Sequence, residues 1–219
     1  MLDYKVPFYS NTDDDTHCFQ AVLRMILKFF WPEKDFSWQE LEKITAKVEG
    51  LWTWPTAGLL WLQKNGFKVK NIEVFDNSRF ASEGGKYLVN FFGKEVGEIQ
   101  IEHSDINQEM VYAKEFIKKI QPIVKIPTIH DIRQLIEDGY LVVCNINSHA
   151  LNSEAGYAGH FVVVKGFDNN TLIIHDPGLP PAENRKVDFA AFERSWAYPN
   201  ENAKNIMAFR LKSPTETLR

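Results

Sequence analysis

Four short segments in the second half of the chain constrain its fold most strongly. Each is rich in β-branched and aromatic residues, the composition typical of strands, and they read "YLVVCNIN", "HFVVVKGF", "TLIIHDP" and "NIMAFRLK". The sequence "GFDNNT", between the second and the third, has the composition of a hairpin turn. The second half therefore predicts an antiparallel sheet.

The first half is predicted to be mainly helical. Residues 18–30 are apolar nearly all round, as expected for a helix buried inside a domain, and capping residues place its start between Asp15 and His17. Ser37 and Glu40 have capping-box spacing at the start of the next helix. A third helix and then a strand follow in "PTAGLLWLQKNGFKVKNIEVF".

The order of these elements predicts the fold class. Residues 77–122 predict two further helices, and "TIHDIRQLIEDG" predicts a helix capped by Thr128. Helices first and antiparallel strands later indicate an α+β fold. We expect one domain over residues 1–219, with a mainly helical lobe at about 1–125 packed against a β-sheet lobe at about 126–212. The polar tail "KSPTETLR" is expected to fray.

Charge and hydropathy argue against several classes of partner. The net charge is −4, the isoelectric point is near 5.9 and no run of Lys and Arg occurs, so binding to nucleic acid or to an anionic membrane is not expected. No apolar run approaches the length of a membrane span, and the first residues lack the pattern of a secretory signal. These features predict a cytoplasmic protein.

The two cysteines, Cys18 and Cys144, do not form a CxxC pair. The sequence therefore predicts no structural zinc site and no disulfide framework, and it gives no indication of another metal or of a cofactor. Cys144 lies in an apolar strand and is expected to be a core residue. A single bridge between the two cysteines is the less favoured alternative, because a reducing compartment is expected.

A cysteine, a histidine and an aspartate occur in an arrangement suited to nucleophilic catalysis. Cys18 alone would more often be a buried packing residue, but at the N-terminus of a helix its thiolate is stabilised by the helix dipole. His160 opens the strand "HFVVVKGF", and Asp176 closes the strand "TLIIHDP". A cysteine hydrolase needs these three groups as nucleophile, general base and orienter of the base.

The hairpin between the last two residues of this triad restricts the geometry. A two- or four-residue loop centred on Asn169 and Asn170 would place Asp176 opposite Val163 and turn His160 to the other face of the sheet. The triad therefore requires an odd-length loop or a β-bulge. Gly166 is a suitable site for a bulge.

The segments "VPFYSNTDDDTHCFQAVLRMILKFF", "HDIRQLIEDGYLVVCNIN" and "GHFVVVKGFDNNTLIIHDPG" together resemble the C39-like cysteine peptidases, a branch of the papain-like superfamily. The resemblance runs from about residue 6 to 178, and the spacing from Cys18 to His160 falls within the roughly 130 to 150 residues of papain-type enzymes. It implies a papain-like fold with Cys18 as nucleophile, His160 as base and Asp176 as orienter. It also implies a peptide or another amide as substrate.

Two positions depart from the pattern of that family. Phe19 follows the cysteine, where the family usually has Gly, and Thr12 stands where the family usually carries a Gln that completes the oxyanion hole. Asn11 is the nearest amide and is the predicted replacement for that Gln, and Gln20 is the less favoured alternative. Loss of one oxyanion donor typically costs on the order of 100- to 1000-fold in rate.

Other residues near the predicted site have both a functional and a structural interpretation. Trp54 and Gly159 are candidates for a substrate groove, although core packing is the favoured use of the tryptophan. The residues Asp13 to Asp15 form either a solvated acidic turn or a contact for a cationic substrate or ion.

For the whole chain, a cysteine peptidase or amidase is the preferred function, and an acyltransferase on the same scaffold or an inactive peptide-binding module are the alternatives.

Overall fold

A computed structural model describes residues 1–213 of the chain, so residues 214–219 of the polar tail, for which fraying is expected, lie outside the described residues. The α-helices are concentrated in the first two thirds of the chain. They are α1 (Cys18–Phe30), α2 (Trp38–Thr45), α3 (Thr56–Lys64), α4 (Asn77–Glu83), α5 (Gly85–Phe92), α6 (Lys94–Glu102), α7 (Ile106–Lys119), α8 (Ile129–Glu137), α9 (Ser148–Leu151) and α10 (Phe189–Trp196).

The strands form one antiparallel sheet in the order β2-β7-β3-β4-β5-β6, and β1 pairs with β4 beside that path. Their bounds are β1 (Leu2–Asp3), β2 (Phe67–Glu73), β3 (Leu141–Asn147), β4 (Gly159–Phe167), β5 (Thr171–Asp176), β6 (Ala182–Asp188) and β7 (Asn205–Leu211). The four predicted strand segments are confirmed as β3, β4, β5 and β7. The sequence analysis missed β6, because "AENRKVD" is mostly polar and forms the outer strand of the sheet.

The local signals for helices are partly confirmed. Capping boxes are present at Ser37 for α2 and at Thr128 for α8. The prediction of two helices over residues 77–122 is wrong, because four helices lie there. Gly84 and Gly93, with φ of 55° and 86°, adopt conformations that favour glycine and separate α4, α5 and α6.

The sheet carries a hydrophobic core on each face. Helix α1 packs on one face, where Leu23 and Ile26 belong to the same cluster as Val163. Helices α8 and α10 pack on the other face, around a cluster that contains Cys144. Cys144 is fully buried and both cysteines are free, so the core assignment is confirmed and the alternative of a disulfide is wrong.

A β-bulge lies in the hairpin of β4 and β5, as the catalytic arrangement requires. Val164 pairs with Ile174 but Gly166 pairs with Ile173, so Lys165 is the extra residue. A side chain at position 166 would collide with β1, because a Cβ atom there would lie 2.4 Å from the carbonyl oxygen of Leu2. The predicted bulge is confirmed, and beyond it the shifted register turns His160 and Asp176 to the same face of the sheet.

Candidate active site

The three candidate catalytic residues meet where α1 begins and the hairpin ends. Cys18 is the first residue of α1 and is partly exposed. His160 and Asp176 are each 5% exposed, and the Nε2 atom of His160 lies 2.8 Å from the Oδ1 atom of Asp176. Cys18 lines the same cavity as His160, and its side chain interacts with the imidazole strongly enough to raise the pKa of His160. Because Nε2 faces the aspartate, Nδ1 is the ring nitrogen available to the thiol.

The surroundings of His160 favour the charged imidazolium. Burial lowers the pKa of His160, but hydrogen bonds with Asp176 and Cys18, together with the negative charges of both groups, outweigh burial and raise it to about 10. The imidazole ring of His160 is therefore protonated at neutral pH. A positive charge beside a thiol favours the thiolate form.

Asp176 is held in place by groups on three sides. Its Oδ1 atom accepts a hydrogen bond from the backbone N–H of Gly178 at 3.1 Å, and its Oδ2 atom accepts one from Arg185 Nη1 at 2.9 Å. Arg185 Nη2 in turn donates to Asn152 Oδ1 at 2.9 Å. Burial raises the pKa of Asp176, but its bond to His160 and the charges of His160 and Arg185 outweigh it and lower that pKa. The carboxylate therefore stays ionised.

Sequence reasoning missed Arg185 as a member of this group. The residue lies in β6, the strand that was not predicted, and a single arginine in a polar segment carries no signal of its own. Arg185 could have been recognised as a partner of Asp176 only if β6 had been predicted as the strand next to β5.

Gly178 packs directly against the histidine–aspartate pair. A Cβ atom at this position would lie 3.0 Å from Asp176 Oδ1 and 3.3 Å from His160 Nε2. The residue does not have a positive φ, so its backbone conformation suits alanine. A methyl group at position 178 is therefore expected to disturb the contact between His160 and Asp176 and not the backbone.

We predict that Gly178→Ala lowers kcat/KM by about tenfold and leaves the melting temperature nearly unchanged. The added methyl group displaces the imidazole from Asp176, and small misplacements of catalytic groups have large effects on rate. Steady-state kinetics and circular dichroism melting of the variant check this expectation. An unchanged kcat/KM would contradict the tight packing of this position against the pair.

Helix α1 starts where the sequence predicted, but its N-cap is not one of the aspartates of the acidic turn. The N-cap residue is His17, and its side chain makes no capping bond. Instead, Asp14 accepts hydrogen bonds from the hydroxyl groups of Thr12 and Thr16, and these bonds hold the pKa of Asp14 well below its usual range although slight burial opposes them. His17 Nε2 lies 2.9 Å from Glu42 Oε1 and so connects the turn to α2.

Asn11, the predicted oxyanion residue, lies inside this turn. Its Oδ1 atom accepts hydrogen bonds from the backbone N–H groups of Thr12 at 2.9 Å and His17 at 2.8 Å, and its Nδ2 atom donates to Asp15 Oδ1 at 2.7 Å. The side chain thus braces the loop that leads to Cys18. A role of its amide toward an oxyanion stays a prediction.

Phe19, the second departure from the family pattern, points into the core. It is 1% exposed, and its ring centroid lies 4.9 Å from that of Phe161. Space for the ring exists because α3 carries Gly58 at the contact, where a Cβ atom would lie only 2.8 Å from the Phe19 ring. The larger residue is therefore accommodated behind α1, on the side away from the solvent.

A cavity of about 220 Å³ adjoins Cys18 and His160. Trp54 and Gly159, the predicted groove residues, both line it. Trp54 also donates its indole N–H to Ser104 Oγ at 2.9 Å and stacks on Phe80, so it has the expected packing role as well. A Cβ atom at Gly159 would lie 2.8 Å from the hydroxyl of Tyr157, so the absence of a side chain at position 159 lets this hydroxyl lie close to the backbone.

Two other features, a metal site and a membrane-spanning helix, are absent from residues 1–213. Within this range, the histidine, cysteine and acidic side chains form no group of three or more with the spacing of a metal site. Each helix of the described chain is too short or too polar to cross a membrane.

Comparison with known families gives a match over most of the chain. The model of the Peptidase C39-like family matches residues 4–204. The chain belongs to the C39-like peptidase family. No curated protein sequence gives a significant match.

Solved structures of C39 peptidase domains share the fold of this C39-like chain. The peptidase domain of Streptococcus ComA, a bifunctional ABC transporter involved in quorum sensing, aligns with a TM-score of 0.51 and 14% identity, covering 94% of this chain and 98% of that domain. A double-glycine motif protease from an AMS/PCAT transporter, solved with the leader peptide, aligns with a TM-score of 0.50 and 15% identity, covering 96% and 94%. The papain-like α+β fold predicted from the sequence is thereby confirmed.

Proposed function

We propose that this chain is a cysteine peptidase that cleaves an amide bond through a Cys18–His160–Asp176 triad. The observation that carries the proposal is the position of His160, which bonds Asp176 through Nε2 and interacts with Cys18 at the edge of a cavity. Membership of the C39-like peptidase family supports the same conclusion.

The first half of the reaction forms a thioester. The Cys18 thiolate attacks the carbonyl carbon of the scissile amide, and the carbonyl oxygen takes up the negative charge of the tetrahedral intermediate. His160 then donates its Nδ1 proton to the leaving nitrogen, and the C–N bond breaks as the amine departs. Asp176 keeps the ring oriented and stabilises its charged form throughout.

The second half of the reaction hydrolyses the thioester. Once Cys18 is acylated, its negative charge and its hydrogen bond no longer support the imidazolium, so the pKa of His160 falls and the ring can act as a base. His160 takes a proton from water, the resulting hydroxide attacks the thioester carbon, and the C–S bond breaks. The products are a carboxylic acid and the regenerated Cys18–His160 pair.

The oxyanion is expected to bind at the start of α1. The backbone N–H of Cys18 belongs to the first turn, whose N–H groups have no acceptor within the helix. We propose Asn11 as the second donor, which requires its Nδ2 group to share or exchange its bond with Asp15. The backbone N–H of His17, the residue before Cys18, already donates a hydrogen bond to Asn11 Oδ1 and holds Asn11 near the start of the helix.

The proposed substrate is a peptide or a peptide-like amide. A C39 protease of the same fold has been solved in complex with a leader peptide, which is consistent with an extended peptide at this kind of site. The cavity of about 220 Å³ beside Cys18 is smaller than the roughly 300–1,000 Å³ typical of pockets for drug-sized ligands. It suits one side chain, with the rest of the peptide outside.

Digestion of a mixture of peptides, followed by mass spectrometry, tests the proposed function. We expect new peptide termini, and addition of hydroxylamine during the digestion should convert part of the acyl product into a hydroxamate, which indicates a thioester intermediate. Transfer of the acyl group to peptide amines in place of water would identify an acyltransferase. The absence of any cleaved or transferred product would contradict the proposal.

A further inference from the structure

The cavity beside Cys18 extends from the catalytic groups to a row of polar side chains on the sheet. Glu73 at the end of β2 pairs with Asn205 of β7, and Asn71 pairs with Met207. Residues directly opposite each other on neighbouring strands share a face of the sheet. All four residues line the cavity, so their shared face forms one of its walls, which we call the inner wall.

The inner wall offers hydrogen-bond acceptors that the protein itself does not fully use. Asn71 is 3% exposed, and its Oδ1 atom is buried without a hydrogen-bond partner. Glu73 accepts one hydrogen bond from Asn77 Nδ2 at 3.3 Å through Oε1. A buried acceptor without a partner is costly, so this arrangement favours a ligand that donates hydrogen bonds.

The charge of the cavity has one sign, apart from the catalytic histidine. The described residues that line it include the carboxylates of Glu73 and Asp15, and they include neither lysine nor arginine. Lys204 borders a smaller cleft that Glu73 also lines, but its ammonium is bound by Glu193 and Glu201. The carboxylate of Glu73, at the end of the cavity formed by the inner wall, is therefore available to pair with a cation from a ligand.

Many of the side chains that line the same cavity are aromatic. Trp52, Trp54, Phe75, Phe92 and Phe116 all line the cavity. Aromatic faces pack well against methylene groups and attract cations through their quadrupoles. A flexible aliphatic chain that ends in an ammonium group matches both the walls and the inner end.

We propose that the inner end of this cavity, with Glu73 and Asn71 as acceptors, is a recognition subsite for an alkylammonium group such as the side chain of a lysine in the substrate. The ammonium donates hydrogen bonds to the Glu73 carboxylate and to Asn71 Oδ1, while the methylene groups lie between the aromatic side chains. The inference rests on the proposed function in one respect, because that function makes the occupant part of a substrate.

The ionisation of Glu73 gives the subsite a pH dependence. Burial raises the pKa of Glu73 to about 7, although its polar interactions with Asn77 and Asn71 oppose the rise. Below that pH the group is a neutral acid and attracts a cation weakly. Preference for an ammonium ligand should therefore increase as the pH rises through about 7.

Calorimetric titration with two small probes tests the subsite without requiring catalysis. The probes are Nα-acetyl-lysinamide and Nα-acetyl-norleucinamide, whose side chains differ by the terminal ammonium. We expect the lysine probe to bind the wild-type protein at least about tenfold more tightly at about pH 8. The Glu73→Gln variant should lose this preference, and the control variant Glu98→Gln, altered at an exposed residue of α6, should keep it.

Each result of the titration decides the inference. Equal binding of the two probes to wild-type protein, or a preference that persists in Glu73→Gln, would overturn it. If Glu73→Gln does not fold, the pH dependence in wild-type protein decides, and a preference that does not change between about pH 5 and pH 8 would overturn the subsite. Because binding is measured directly, a lysine preference in a protein that cleaves no peptide would reject the proposed function alone.

Discussion

Cys18→Ala is expected to abolish peptide cleavage, with a fall in kcat/KM on the order of 10,000-fold or more. The reason is that the bond to the substrate forms at the Cys18 sulfur, and among the described residues that line the cavity Cys18 is the one cysteine. His160→Ala should cause a loss of similar size, because the thiol then has no partner to take and return its proton. The two losses should not add, since the residues act as a unit.

Cys144→Ala is the matched control for the loss of the nucleophile. The thiol of Cys144 is fully buried in the core between the sheet and the helices α8 and α10, and burial raises its pKa well above the ordinary value. Its removal should lower the melting temperature slightly, as a small cavity forms, and leave kcat/KM within about twofold. Cleavage that survives in Cys18→Ala but fails in Cys144→Ala would contradict the assignment of the nucleophile.

Asp176→Asn is expected to lower kcat/KM on the order of 100-fold or more, because the neutral amide no longer stabilises the imidazolium. The bond from His160 to the Asp176 carboxylate is one of the causes that raise the pKa of His160 to about 10. In the variant this pKa should fall. The alkaline limb of the kcat/KM profile, where the imidazolium loses its proton, should therefore move to lower pH.

The pH profile separates a change in His160 from a general loss of structure. Asp138→Asn, at an exposed residue after α8, is the control and should change neither the rate nor the profile. Arg185→Gln should behave as a milder form of Asp176→Asn, because it removes the charge that Asp176 Oδ2 contacts at 2.9 Å but leaves the carboxylate in place. An alkaline limb that stays fixed in Asp176→Asn would contradict the role of Asp176 as orienter.

The sequence was sufficient to predict the fold class and the three residues brought together at the site. The predicted strands followed from dense runs of β-branched residues, which occur because β3 and β4 contribute side chains to the hydrophobic cores on both faces of the sheet. The geometry of the hairpin was also predictable. Alternation of side chains required either an odd-length loop or a bulge between His160 and Asp176, and the structure has a bulge, at Gly166.

Other parts of the site depend on contacts that local patterns do not encode. β6 is an outer strand with mostly polar residues, so neither the strand nor Arg185 was predicted. The inner wall of the cavity combines Glu73 with Asn205, residues far apart in the chain that meet only because β2 and β7 pair. The brace formed by Asn11 depends on the path of the turn from Asn11 to His17, where Asp15 has a φ of 55°.

Alkylation of the native protein with iodoacetamide tests the central claim most directly. The rate of alkylation at Cys18 is followed by peptide mass spectrometry between about pH 5 and pH 9. Glutathione in the same tube serves as an unactivated thiol, for which the reference pKa is about 8.5. The account predicts that at about pH 6 Cys18 reacts at least about tenfold faster than glutathione, and that His160→Ala removes this advantage. A Cys18 that reacts no faster than glutathione in the wild-type protein would contradict the thiolate–imidazolium pair and favour an inactive peptide-binding module.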